Sequence, residues 1–195
     1  MSLISILLFT IAIMSFSFGL LTLIGASRVD RLRSAWFCFA TIGSAMWAIS
    51  IAVFLSLAPD ATSAEFWIYG IYVPPMLMLV GLLGYVSWQY KSGKVLTVIS
   101  CLLMVVLVTL LLTDKTLLYQ SYDLTIAGNV VNLTRGWFYP AYMAFFFLAD
   151  PLFLFYAWST VRHARNKHIK NGTLILMIGF GITGVVTLVV DLVLP

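Results

Sequence analysis

Apolar residues run along the chain in long continuous blocks separated by short polar connections. Windows of about 20 apolar residues, enough to cross roughly 30 Å of hydrocarbon, lie at about 3–26, 34–57, 66–90, 94–113, 136–161 and 171–194. The pattern predicts an all-α integral membrane protein: one bundle of six transmembrane helices spanning residues 1–195, with no second domain. A closed β-barrel also satisfies backbone groups in lipid, but these blocks are too long and too continuously apolar for alternating barrel strands. The first block, "SLISILLFTIAIMSFSFGLLTLIGA", lacks the basic n-region of a secretory signal. Its length and the positive charges that follow it mark it as a span.

Composition agrees with the pattern. Hydrophobic residues make up 62% and charged residues 9%, against roughly half and about a quarter in soluble domains. The net charge of +4 does not point to nucleic acid, because of where the charges fall. Arg28, Arg31 and Arg33, then Lys91 and Lys94, then Arg162, Arg165, Lys167 and Lys170 occupy three alternate connections, while Lys115 and Arg135 lie on the opposite side. The positive-inside rule then places the N-terminus outside and the three basic connections in the cytoplasm, next to anionic headgroups. Cys38 and Cys101 lie within spans, lack CxxC spacing and have no histidine neighbours, so they read as packing residues.

The connection 114–135 is the one long loop, and it is predicted on the outer side. Partial alternation at Tyr119 to Ile126 and Val130 to Thr134, around Ala127, Gly128 and Asn129, predicts a short β-hairpin. A lid over the outer mouth and a simple connector covering helix ends are both open readings of it. "NLT" at 132–134 and "NGT" at 171–173 match a glycosylation sequon, but neither is assigned a glycan. "GFGITG" at 179–184 has the letters of a dinucleotide fingerprint without the strand that should precede it. It reads instead as small residues that permit close helix approach.

The candidate chemistry centres on "FFFLADPLFLF", Phe145 to Phe155, which places Asp150 in a strongly apolar run. Counting inward from Trp137 at 1.5 Å per residue, Asp150 lies about 20 Å down the helix, near the midplane. Steps of three and four put Phe146, Met143 and Tyr139 on its face, and this stripe is expected to point into the bundle. No Lys, Arg or His stands in the apolar interior of any span, so an unpaired carboxyl group there is expected as the neutral acid. Ser15, Ser17, Ser44, Trp47, Thr183 and Thr187 lie at similar depth as hydrogen-bond candidates. Pro151 frees the carbonyl of Phe147 and is expected to kink the helix, as are Pro74 and Pro75 in the third span. Trp67, Tyr69 and Tyr72, with Trp137, Phe138, Tyr139 and Tyr142, gather near the outer interface. They form either an interfacial aromatic belt or the lining of an outward pocket. Asp191 reads as interfacial.

Asp150 therefore has three readings: a structural tie, a proton or cation site, or the polar anchor of a small ligand entering from outside. Catalysis is not expected. The chain has no histidine within a span for haem or metal, no lysine placed for a Schiff base, and no Ser-His-Asp, HExxH or Walker pattern. No cofactor is expected; the lipid bilayer is the expected partner.

Several features together resemble the N-terminal seven-helix sensor region of bacterial histidine kinases and diguanylate cyclases. They are an outside N-terminus, an Arg-rich first inner loop, "EFWIYGIYVPPMLMLVGLLGYV" at 65–86, "GWFYPAYMAFFFL" after the long outer loop, and the basic "RHARNKHIKNGTLILMIG". The likeness covers nearly the whole chain and consists of residue types rather than invariant catalytic letters. It implies a multi-pass sensory input module of the bacterial inner membrane, with a seventh helix and a cytoplasmic output domain beyond Pro195. Partners would then be an unidentified small ligand, a second copy of the chain, or a fused or associated signalling domain. An ion-coupled small-molecule transporter and a structural subunit of a membrane complex are the alternatives.

Overall fold

The computed structural model describes residues 3–27, 30–57, 61–113, 119–125, 130–136, 139–164 and 167–193, with side chains of 5–27, 30–53, 69–70, 72–113, 136, 139–164, 167 and 169–181. Helices α1 (Leu3–Ile24), α2 (Arg31–Leu57), α3 (Ala61–Ser87) and α4 (Lys91–Thr113) are followed by strands β1 (Tyr119–Thr125) and β2 (Val130–Arg135). Helices α5 (Tyr139–His163) and α6 (Lys167–Val193) complete the order. The strands pair antiparallel, from Thr125 opposite Val130 to Tyr119 opposite Arg135, with an irregularity between Tyr119 and Ser121.

Helix ends extend beyond the apolar windows at the basic connections: α2 begins at Arg31, α4 at Lys91 and α6 at Lys167. Lys and Arg are good helix formers whose charge lowers a hydropathy window without ending a helix. Asp30 begins α2 by accepting from the Ser34 N–H at 2.9 Å, and its own N–H is held by Ser27. The backbone carbonyl of Tyr90 accepts from the Lys94 N–H at the start of α4.

Four stretches are long and apolar enough to cross a membrane: Ser5–Ile24, Arg31–Val53, Lys91–Thr113 and Tyr139–His163. In α3 and α6 the described apolar stretches, Tyr72–Ser87 and Ile169–Gly181, are shorter. Helical periodicity shows clearly in α4, where Gly93, Thr97, Ser100, Met104, Leu107 and Leu111 are buried while Val95, Val98, Ile99, Leu102 and Val106 are exposed. One face of α4 thus meets protein and the other presents a continuous apolar surface suited to lipid.

Helix α3 is the hub, in contact with α2, α4 and α5, while α6 packs on α5 and α1 on α2. The α2–α3 contact is the closest. A methyl group added at Gly81 would lie 2.7 Å from Ala40 Cα, and one at Gly43 would lie 2.7 Å from Met78 N and 2.8 Å from Pro74 O. A methyl at Gly84 would meet the Trp36 indole, and one at Gly19 of α1 would meet the Thr41 hydroxyl. These glycines let helices approach almost backbone to backbone, where dispersion replaces the missing hydrophobic drive. The expectation for "GFGITG" is corrected for its first two glycines, where a methyl at Gly179 or Gly181 meets no described atom within 4 Å, while Gly184 lies outside the described side chains. Close approach depends on what the opposing helix offers, here Ala40, Thr41 and backbone.

Both proline sites lie inside uninterrupted helices, Pro74 and Pro75 in α3 and Pro151 in α5. Cys38 is buried and Cys101 half-buried, both as free thiols.

Candidate functional site

Helix α5 buries Tyr142, Phe145, Ala149, Phe153, Tyr156 and Thr160, a ridge with steps of three and four. The stripe expected to point inward, Tyr139, Met143, Phe146 and Asp150, runs along the margin of that ridge and is half-buried. On the far side Phe147, Leu148 and Phe155 are exposed, as is Pro151. The helix is therefore rotated by about one residue from the sequence expectation, because Phe145 and Phe153 fill the core more fully than the polar-tipped stripe.

The aromatic residues form a connected file. Tyr72 of α3 meets Tyr142 edge to face at 5.2 Å between centroids. Tyr142 lies 4.9 Å from Phe146 and 6.3 Å from Tyr139, and Phe146 stands 5.5 Å from Phe145. One turn past Phe146 along the same helix is Asp150. Three residues further, Phe153 stacks on Phe180 of α6 at 4.8 Å. Trp67 and Trp137, also expected here, lie outside the described side chains.

Asp150 Oδ1 is buried and has no hydrogen-bond partner among the described residues. The expected ties are corrected: Ser15 and Ser17 stand on α1, and Ser44 and Trp47 on α2, whereas α5 packs chiefly on α3 and α6. Thr41 and Ser50 of α2 show where such hydroxyls go, each donating to a carbonyl of its own helix, Cys38 and Met46 respectively. Thr183, Thr187 and Asp191 lie outside the described side chains. Leaving a buried polar atom unpaired costs about 1–3 kcal/mol.

A second polar group, not anticipated from sequence, joins α3, α4 and α5 at the basic end. Ser87 and Thr97 hydroxyls lie 2.7 Å apart, and Thr97 also donates to the Gly93 carbonyl. Gln89 Nε2 donates to Thr160 Oγ1 at 2.8 Å, and Thr160 donates to the Val86 carbonyl at 3.2 Å. Tyr156 OH donates to Ser92 Oγ, and Ser159 Oγ to Tyr90 OH. This network is satisfied and fastens helix ends, in contrast to Asp150. His163 Nδ1 lies 2.9 Å from the Ser159 carbonyl, and no group of three or more metal-binding side chains occurs among the described residues.

No protein-family model, curated protein or solved structure matches the chain.

Proposed function

We propose that the chain is a sensory input bundle of a bacterial inner membrane: six spans, with the N-terminus outside, passing a stimulus to a cytoplasmic signalling output. The observation that carries this reading is Asp150, whose buried, unpaired Oδ1 stands below the aromatic file from Tyr72 to Phe146. An unsatisfied acceptor in a half-buried position suits a group that changes partner, either by taking a proton or cation or by holding a polar ligand. Its helix touches both α3 and α6, so a change there would be felt by the hub and by the sixth helix. A ligand moves such a bundle only by its difference in affinity between two packings. The distribution of basic residues and the residue patterns shared with bacterial sensor regions support the orientation and the signalling role.

The test is thermal unfolding of wild type and Asp150→Asn in detergent across pH, with and without monovalent cations and candidate small ligands. A shift present in wild type and absent in Asp150→Asn supports sensing through this carboxyl group. A shift produced only by a cation, together with cation flux in proteoliposomes, would replace sensing with ion-coupled transport. Superimposable curves under every condition would make Asp150 a structural residue and overturn the reading.

A further inference from the structure

Among the described residues, three donor atoms at the basic end of the bundle are buried without an acceptor: Arg33 Nε, Arg33 Nη2 and Trp36 Nε1. Arg33 and Trp36 are three residues apart in the first turns of α2 and so share a face, the one turned to α3. The Arg33 guanidinium carbon lies 4.5 Å from the centroid of the Tyr85 ring, and the Trp36 indole packs on Trp88 at 5.4 Å. Lys94, in the first turn of α4, brings its ammonium to 5.8 Å from the Trp88 ring. Arg33 and Trp36 thus set a positive charge and an indole N–H against Tyr85 and Trp88 of one α3 end, and Lys94 adds a second charge beside Trp88.

The pattern of unmet donors is specific. Tyr85 occupies the face of the guanidinium and leaves its edge unused. Nε and Nη2 together form the edge that grips two oxygens of a single oxyanion in parallel hydrogen bonds. Arg33 also stands two residues inside the apolar stretch that begins at Arg31, the level of lipid headgroups, beside the exposed side chain of Leu32.

We propose that Arg33 and Trp36, assisted by Lys94, bind the phosphate of an anionic phospholipid headgroup at the basic end of the bundle. The guanidinium edge holds two phosphate oxygens and the indole N–H donates to the same headgroup, while the acyl chains follow the exposed apolar surface beside Leu32. The site rests on the membrane placement of α2 and does not depend on a sensory role.

The experiment uses the full chain in uncharged detergent, with native mass spectrometry and thermal unfolding as readouts. The added probes are phosphatidylglycerol, phosphatidylcholine and inorganic phosphate. Phosphatidylglycerol is expected to bind in preference to phosphatidylcholine, whose phosphate carries its own cation, and to raise the transition temperature. Arg33→Lys keeps the charge but loses the two-donor edge, and Trp36→Phe keeps a ring but loses the N–H. Each is expected to weaken phosphatidylglycerol about tenfold, the worth of one hydrogen bond to a charged group. Arg31→Gln, at an exposed neighbour, is expected to leave affinity unchanged. Equal binding by wild type and both site variants, or an equal loss in Arg31→Gln, overturns the site in favour of diffuse attraction. If inorganic phosphate binds with this variant dependence and phosphatidylglycerol does not, the lipid assignment is overturned and the ligand is a soluble phosphate. If the site variants do not fold, competition between the two lipids on wild type decides, and no preference for phosphatidylglycerol overturns the proposal.

Discussion

Gln89 Nε2 donates a 2.8 Å hydrogen bond to Thr160 Oγ1, tying the turn between α3 and α4 to the basic end of α5 across 71 residues of sequence. Thr160 is fully buried and donates its own hydrogen bond to the Val86 carbonyl near the end of α3. Thr160→Val should therefore destabilise the protein by about 1–3 kcal/mol, because a carbonyl and an amide lose their partner together. Gln89→Ala, at a more exposed position, should cost about 1 kcal/mol. A double-mutant cycle read by thermal or denaturant unfolding in detergent should give a non-zero coupling, and strict additivity would show that the bond contributes nothing.

The α2–α3 contact predicts a sharp asymmetry among glycines. Gly81→Ala places a methyl group 2.5 Å from Ala40 N and 2.7 Å from Ala40 Cα, so the helices must separate. The expected cost is about 1–3 kcal/mol, the range seen for overpacking. Gly179→Ala meets open space and should be neutral or slightly stabilising, since alanine favours helix by about 1 kcal/mol. Paired unfolding curves of the two variants check this, and equal stability would mean that the close approach is not tight.

Asp150 offers a test of what the carboxyl group costs. With Oδ1 buried and unpaired, Asp150→Asn should fold, because the amide approximates the neutral acid in size and donor capacity. Asp150→Leu should match or exceed wild-type stability, since an apolar side chain leaves nothing unsatisfied. Retention of monodisperse protein in size exclusion, followed by unfolding, measures both. A loss of folded protein in Asp150→Leu would show that the carboxyl group supports the bundle.

Orientation is checked by chemical labelling. In a background lacking Cys38 and Cys101, Ser121→Cys in β1 should react with a membrane-impermeant maleimide in intact cells. Lys91→Cys and Lys170→Cys should react only after lysis, as the basic connections are expected inside. The reverse pattern would invert the proposed topology.

Much of the helical order was legible in the sequence because lipid-length apolar blocks leave few alternatives. The strand pairing around residues 126–129 was signalled by alternation on both sides of Gly128 and Asn129. The closest helix contacts were not legible. Gly43 and Gly81 look no different from Gly179 and Gly181 along the chain, and the distinction arises only when Ala40 and the backbone at Met78 come opposite. The polar network at the basic end was hidden for a similar reason, since nothing along the chain marks Ser87, Thr97 or Thr160 as hydroxyls that face another helix. Such residues usually bond back to their own helix, as Thr10 and Thr22 do here. Asp150 could be found because a carboxyl group in such a run is rare. Its exact face could not, as the 139, 143, 146, 150 and 142, 145, 149, 153 rows differ by one residue.

The backbone-level match between α2 and α3 also bears on how the protein is assembled. Information for that pairing resides in the shapes of two helix surfaces, Ala40 and Gly43 against Gly81 and Met78, rather than in the peptide that joins them. Two separately synthesised pieces, one carrying α1 with α2 and the other α3 to α6, are accordingly expected to recognise one another after insertion into the same bilayer. Covalent continuity at that connection would then serve delivery and stoichiometry, leaving architecture to the helices themselves.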